Sequence, residues 1–383
     1  MKICRLNLIH KLYKNPNKIK NFPKPYFVEK GFFIIELETT DGLIGYGEIS
    51  SYLFKKEESI SFLKKYFLRK LKNFDINKNY FKSNKNYNTI YLNNDLFYSI
   101  KSAIDQAILD LLGKIYNINS FKLFGTKKYV RAYSSGGVIF EDQEYDLLQD
   151  ELYKAKNLNY FGWKFRPSIP IKYLNHKERI KKNPQVDLYK LEKFCIKSRK
   201  IAGDEFNLMI DLGCRLKFDR KSIKFLELLN DLNFYFIEEP FSRDFKNYNN
   251  LKNIRNIAIG ENFSKAKMFS KFSNFKQIKY FQPDTNTFPF KDLLKFSKKA
   301  KKKMVLHNWT NSVNFYSNIN FALASSKCNL VEVNTLPFPK NFTFLKENHY
   351  IKSGKLYLKN NKGTGVEMLN SKLFKTKIKN IRI

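Results

Sequence analysis

Cysteine is scarce in this chain. Cys4, Cys195, Cys214 and Cys328 are scattered over 383 residues with no CxxC pair. That excludes a zinc ribbon and a disulfide-stapled scaffold, and it suits a reducing compartment. Histidine is equally rare, with four residues. No run of about 18 apolar residues occurs, so no transmembrane helix is expected. The opening MKICRLNLIHKLYKN breaks its apolar stretch with Arg5, His10 and Lys11, which is too interrupted for a signal peptide. A cytoplasmic protein starting at Met1 is the expectation.

Acidic residues are also in short supply. The chain has 35 Asp and Glu against 71 Lys and Arg, a net charge of +36. Clustered cations would bind nucleic acid by releasing counterions. Here the lysines are spread over every segment, with only short clusters such as Lys298-Lys299 and Lys301-Lys302-Lys303, and no nucleic-acid motif accompanies them. Abundant Lys, Asn, Ile, Phe and Tyr point instead to biased composition. No specific nucleic-acid partner and no membrane association are expected. A general positive field still draws small anionic substrates.

What is present is enough for a large core: 43% hydrophobic residues and 16% aromatics. The length suits two or three domains. Residues 30–50 read as a hairpin turning at Asp41-Gly42. Residues 58–72 and 96–118 read as helices. In the second, Ile100, Ala103, Ile104, Ala107, Ile108, Leu111 and Leu112 recur at helical spacing. From about residue 130, eight short apolar runs alternate with amphipathic stretches. They are Val130–Ser135, Tyr160–Arg166, Asn207–Leu212, Phe234–Pro240, Ile257–Asn262, Ile278–Asp284, Lys303–Asn308 and Asn329–Asn334. Eight βα units can close a parallel barrel. An open doubly wound sheet is the alternative, but nothing like GxGxxG follows the first strand.

Polar residues stand at the ends of these runs. Asp211, Glu238, Glu261, Asp284 and His307 close the third to seventh, and Glu332 lies in the eighth. The intervals are 27, 23, 23, 23 and 25 residues, one βα unit each. Such residues fall at the same end of neighbouring strands, which in a barrel is the catalytic face. A single Asp or Glu there can be a helix cap, but six polar positions in register are poorly explained that way. Asp211, Glu238 and Glu261 would repel one another unless their pKa values rise or a divalent cation joins them, and hard oxygen ligands favour Mg²⁺. Asp284 beside His307 would fix the imidazole tautomer. Lys164 and Arg166, two apart on the second strand, point to one side, here the interior.

Together these residues resemble the enolase superfamily, in its mandelate racemase/muconate lactonizing enzyme-like branch. The resemblance runs over residues 1–369. It includes DGLIGYGE (Asp41–Glu48), AIDQAILDLLGK (Ala103–Lys114), LFG (Leu123–Gly125), WKFR (Trp163–Arg166), MIDLG (Met209–Gly213) and FIEEP (Phe236–Pro240). It continues through GEN (Gly260–Asn262), QPD (Gln282–Asp284), LHNW (Leu306–Trp309), VEV (Val331–Val333) and GTGVE (Gly363–Glu367). The resemblance implies an α/β fold: a modified (β/α)₇β TIM barrel with an α+β capping domain. The cap would be residues 1–128, the barrel 129–345, and 346–383 would complete the cap. Cap loops around Pro16–Phe27 and Ser50–Phe54 would close over the mouth.

It also implies Mg²⁺ on Asp211, Glu238 and Glu261, a His307–Asp284 dyad, and Glu332 hydrogen-bonding an enediolate. A small carboxylate substrate and a homo-oligomer are implied as well. Three departures stand out. The family's second-strand Lys-x-Lys is Lys164-Phe165-Arg166 here. Gly213 stands where asparagine is common. Arg166 to Asp211 spans 45 residues, so about 20 are inserted within Pro167–Val186, as a lid or as a plain surface loop. Racemisation needs two bases, and Arg166 cannot serve as one. The leading expectation is therefore a sugar-acid dehydratase. The alternatives are a racemase or epimerase, in which Lys164 could be the second base, and a non-catalytic basic binding protein.

Overall fold

The computed structural model describes residues 1–14, 29–72, 74–81, 92–138, 146–166, 187–251, 253–335, 344–359, 362–369 and 375–382. The stretches Pro16–Phe27 and Pro167–Val186 lie outside them. Two sheets organise the described residues. Strands β1 (Ile3–Lys14), β2 (Glu29–Thr39) and β3 (Ile44–Ile49) form an antiparallel sheet with the last strand of the chain at one edge. The β2–β3 hairpin pairs Phe33 with Ile49 through Glu38 with Ile44 and turns at Gly42, which adopts a φ of +80°. That left-handed turn is why the Asp-Gly signal was legible.

Eight parallel strands close the second sheet. They are β4 (Val130–Val138), β5 (Gly162–Arg166), β6 (Asn207–Asp211), β7 (Phe236–Glu238), β8 (Ile257–Ile259), β9 (Ile278–Phe281), β10 (Lys303–Leu306) and β11 (Cys328–Asn334). Neighbours pair in order, and β11 returns to β4 with Leu330 opposite Arg131 through Asn334 opposite Ser135. A helix lies between each consecutive pair, from Asp146–Asn157 to Val313–Ala324. The architecture is thus the (β/α)₇β barrel with a capping sheet. The C-terminal segment serves both sheets. A hairpin of β12 (His349–Lys352) and β13 (Lys355–Leu358) adds to β4, while β14 (Lys375–Arg382) pairs antiparallel with β1.

Packing follows from alternation. Trp163, Phe165, Leu208, Ile210 and Ile237 face the surrounding helices in the main core. Tyr133, Met209, Phe236, Ala258, Tyr280, Val305 and Leu330 fill the barrel interior as a separate cluster. Side chains two residues further along a strand point the same way. Asp211, Glu238, His307 and Glu332 each stand two residues past one of these interior positions. The apolar layer is thus a floor beneath a polar mouth.

The cap seats on that mouth through the helix Asp95–Ile115. Asn94 caps it by accepting from the Phe97 N–H at 2.9 Å. It is buried along almost its whole length because it lies between β3 and the barrel. A methyl group added at Gly47 would sit 1.8 Å from the Ala103 carbonyl oxygen, so only glycine permits that strand–helix approach. On the barrel side, the Gln106 amide donates to the Thr285 carbonyl at 2.8 Å and the Lys291 N–H to Asp105 at 2.8 Å. Among the described residues, no helix is long and apolar enough to cross a membrane.

Candidate active site

Every sequence-selected residue lies at the C-terminal mouth of the barrel. Asp211 and Glu238 are the last residues of β6 and β7 and are register partners. Glu332 is inside β11. Three residues stand just past their strands rather than at the ends expected. Glu261 is two beyond Ile259, Asp284 three beyond Phe281 and His307 one beyond Leu306. Gly260 breaks the ladder with a φ of +114°, and Pro283 has no N–H to extend it. The effect is to turn these side chains inward over the mouth.

The cations and carboxylates interlock. Lys164 Nζ lies 2.6 Å from Glu238 Oε2 and 2.8 Å from Glu332 Oε1, and all three side chains are buried. Burial alone would lower the lysine pKa, but Glu238 and Glu332 outweigh it and hold the ammonium protonated. Glu332 also accepts from the Tyr133 hydroxyl at 3.2 Å and the Asn308 N–H at 2.9 Å. Burial works against its ionisation, and Lys164 and His307 reverse that, lowering its pKa. Arg166 forks onto Asp211, its Nε donating to Oδ2 at 2.6 Å and its Nη2 to the same atom. The guanidinium carbon sits 4.9 Å from the Trp309 ring centre. The remaining Asp211 oxygen accepts from the Gly213 N–H at 2.8 Å. Burial would raise the Asp211 pKa, but Arg166 and Lys164 pull it down to about 2.

The dyad is formed. His307 Nδ1 faces Asp284 Oδ2 at 2.9 Å, and its Nε2 lies 3.3 Å from Glu261 Oε2. The other Asp284 oxygen accepts from the Asn314 amide at 2.7 Å, the Asn318 amide at 3.2 Å and the Asn286 N–H at 2.8 Å. Burial lowers the imidazole pKa, while the Asp284 hydrogen bond and the Glu261 charge carry it up to about 10.

The carboxylate grouping differs from the expected trio. One donor atom from each of Glu238, Glu261 and His307 converges within 4.8 Å, whereas Asp211 is engaged by Arg166. The physical reason is charge. Asp211 is paired with the adjacent Arg166 guanidinium, which draws its carboxylate toward β5. The residues nonetheless fit a hard divalent ion. Glu238 Oε1 is buried and has no hydrogen-bond partner. Burial, then the neighbouring Asp211 charge, push the Glu238 carboxyl up to about 8 despite Lys164. Five carboxylates (Asp211, Glu238, Glu261, Asp284 and Glu332) outnumber the cations Lys164 and Arg166 and a protonated His307, with Arg243 reaching Glu261 from one side. A divalent ion on the oxygen donors would offset that excess.

Several residues at the mouth escape sequence reasoning. Glu239, directly after Glu238, is buried and adopts a φ of +43°. It accepts from Arg243 Nε at 3.0 Å and from the Gly260 N–H at 2.8 Å. Arg243 Nη2 reaches on to Glu261 Oε1 at 3.3 Å. The doubled glutamate of FIEEP was the available signal, with an arginine four residues later. From the cap, buried Glu48 accepts from the Asn314 N–H at 3.0 Å and from the Ser312 hydroxyl. Tyr52, in the Ser50–Phe54 loop, interacts with Arg166 and Trp309.

Comparisons with known proteins agree with this architecture. Residues 177–372 match the family described as "Enolase C-terminal domain-like". Residues 27–125 match the "Mandelate racemase / muconate lactonizing enzyme, N-terminal domain". A curated arabinonate dehydratase of Saccharolobus solfataricus is 24% identical over 213 residues, 55% of this chain. The chain spans about half, 52%, of that relative's length. A solved enolase from Sargasso Sea environmental sequence superposes with a TM-score of 0.79 at 22% identity, covering 99% of this chain and 98% of its own. The 3,6-anhydro-D-galactonate cycloisomerase of Zobellia galactanivorans gives 0.75 at 17% identity, with 97% and 98% covered. At such identities the two structures speak for the fold.

Proposed function

The chain belongs to the enolase superfamily, in its mandelate racemase/muconate lactonizing enzyme-like branch, and on that premise we propose that it is a Mg²⁺-dependent dehydratase of a sugar acid. In this reading Asp211, Glu238 and Glu261 hold the ion. When bound, Mg²⁺ would supply positive charge for the substrate carboxylate and would offset the Glu261 charge, which after the Asp284 hydrogen bond is the next cause of the raised His307 pKa. Neutral His307 takes the proton α to the carboxylate on Nε2, the nitrogen opposite its Asp284 bond. It then returns that proton to the 3-hydroxyl, which leaves as water when the C3–O bond breaks. The resulting enol tautomerises to a 2-keto-3-deoxy acid. Asp284 orients the ring, and Arg166 and Lys164 contribute positive charge toward the substrate anion and its enediolate. Glu332, held ionised by Lys164, would accept a hydrogen bond from a hydroxyl of that species.

One observation carries the choice of a single base. Lys164 is wedged between Glu238 and Glu332 at 2.6 and 2.8 Å, and Arg166 does not give up its proton at neutral pH. That leaves His307 on one face of the substrate. A dehydratase needs one base, whereas a racemase or epimerase needs a second, and Lys164 would have to leave both carboxylates to act. The arabinonate dehydratase similarity supports a polyhydroxy acid as the substrate class. The test is a panel of sugar acids with Mg²⁺, read by 2-keto acid formation. His307→Asn should lower turnover by about 10²–10⁴-fold, the usual loss for a positioned general base, and abolish α-proton exchange with D₂O. Exchange that persists in His307→Asn and disappears on adding Lys164→Ala would transfer the assignment to a two-base racemase or epimerase.

A further inference from the structure

We propose that Arg166 is a built-in competitor for the cation: its guanidinium pairs with Asp211, and binding of a divalent ion to that carboxylate requires its release. The inference rests on reading Asp211 as a metal ligand. Both Asp211 oxygens are already committed, Oδ2 to the Arg166 fork and Oδ1 to the Gly213 N–H. Asp211 is also the one proposed ligand absent from the convergent donor set of Glu238, Glu261 and His307. A lysine here could escape such a pair by losing its proton. Arginine cannot, so the ion and the guanidinium compete directly.

Arg166 also has somewhere to stay once released. Its side chain keeps 24% of its surface exposed, and its guanidinium already lies over Trp309. Stacking on that ring would retain it at the mouth with its donors open to solvent. A freed guanidinium is a planar fork that matches a carboxylate. Metal loading and capture of an anionic substrate would then be linked through one side chain, and such linkage acts in both directions.

The test is calorimetric titration of Mg²⁺ into the wild-type chain, Arg166→Gln, Arg166→Lys and Asp211→Asn, with tryptophan fluorescence followed in parallel. Arg166→Gln should bind Mg²⁺ about tenfold or more tighter, as expected when a charge-assisted contact no longer opposes binding. Arg166→Lys keeps the charge without the fork and should fall between, which maintains the test if the Gln variant does not fold. Of the two tryptophans, Trp163 is fully buried. Mg²⁺ should therefore change Trp309 emission in the wild type and leave it unchanged in Arg166→Gln. Equal or weaker Mg²⁺ affinity in both Arg166 variants, with binding lost in Asp211→Asn, overturns the competition and leaves the ligand assignment standing. Mg²⁺ binding that survives intact in Asp211→Asn overturns both.

Discussion

Glu238→Gln should stabilise the metal-free protein while destroying its metal site. The wild-type carboxyl sits fully buried beside Asp211, and its pKa stands at about 8 against an ordinary 4.5. Between those values the folded chain holds a proton that the unfolded chain releases. Unfolding then sheds protons, so stability falls as pH rises through the window. At pH 7 the gap is about 2.5 pKa units, and at about 1.4 kcal/mol per unit the cost is about 3 kcal/mol. Glutamine is the permanent neutral analogue, and its amide oxygen can still accept from Lys164. A net gain of about 1–3 kcal/mol near pH 7–8 is expected, shrinking toward zero near pH 4.5. The assay is thermal unfolding in EDTA at pH 5 and pH 8. A chain of this size should show a rise of a few degrees at pH 8. Saturating Mg²⁺ should reverse the ranking, since it stabilises only a form that binds it. A variant less stable than wild type in EDTA at pH 8, by the same margin as at pH 5, would refute the reasoning.

Two other substitutions probe the groups around the site. Arg243→Met removes the partner of buried Glu239 and the hold on Glu261; breaking a buried pair this way costs about 3–5 kcal/mol, so urea unfolding should show a lower midpoint, and Mg²⁺ affinity should weaken in calorimetry. Glu48→Ala deprives the Ser312 hydroxyl and the Asn314 N–H of their acceptor at the cap–barrel contact. A loss of about 2–4 kcal/mol is expected from the two charge-assisted bonds. Because Asn314 also donates to Asp284, turnover should fall more than substrate KM rises.

The barrel was readable because its determinants are local and periodic. Each apolar run needs only its own residues to favour a strand, and the repeat of about 23–27 residues brings Asp211, Glu238, Glu261, Asp284, His307 and Glu332 to one end whatever the loops do. The Asp41-Gly42 turn and the helix around Ile100–Leu112 were legible for the same reason. Exact strand ends were less so. Ile259 and Phe281 close their strands two and three residues before Glu261 and Asp284, where Gly260 and Pro283 interrupt the ladder, and Leu306 closes its strand one residue before His307; apolar runs do not mark such shifts.

Partner choice among charges belonged to the tertiary structure alone. Nothing in Lys164-Phe165-Arg166 says that the lysine settles between Glu238 and Glu332 while the arginine takes Asp211. That outcome depends on distances of a few ångströms across different strands, where burial raises the energy of every unpaired charge. The same holds for Glu239 with Arg243, and for the path from Glu48 through Asn314 to Asp284. Sequence spacing determines which residues reach the mouth. Only the folded geometry, by forcing desolvated charges to find neighbours, decides which of them hold one another.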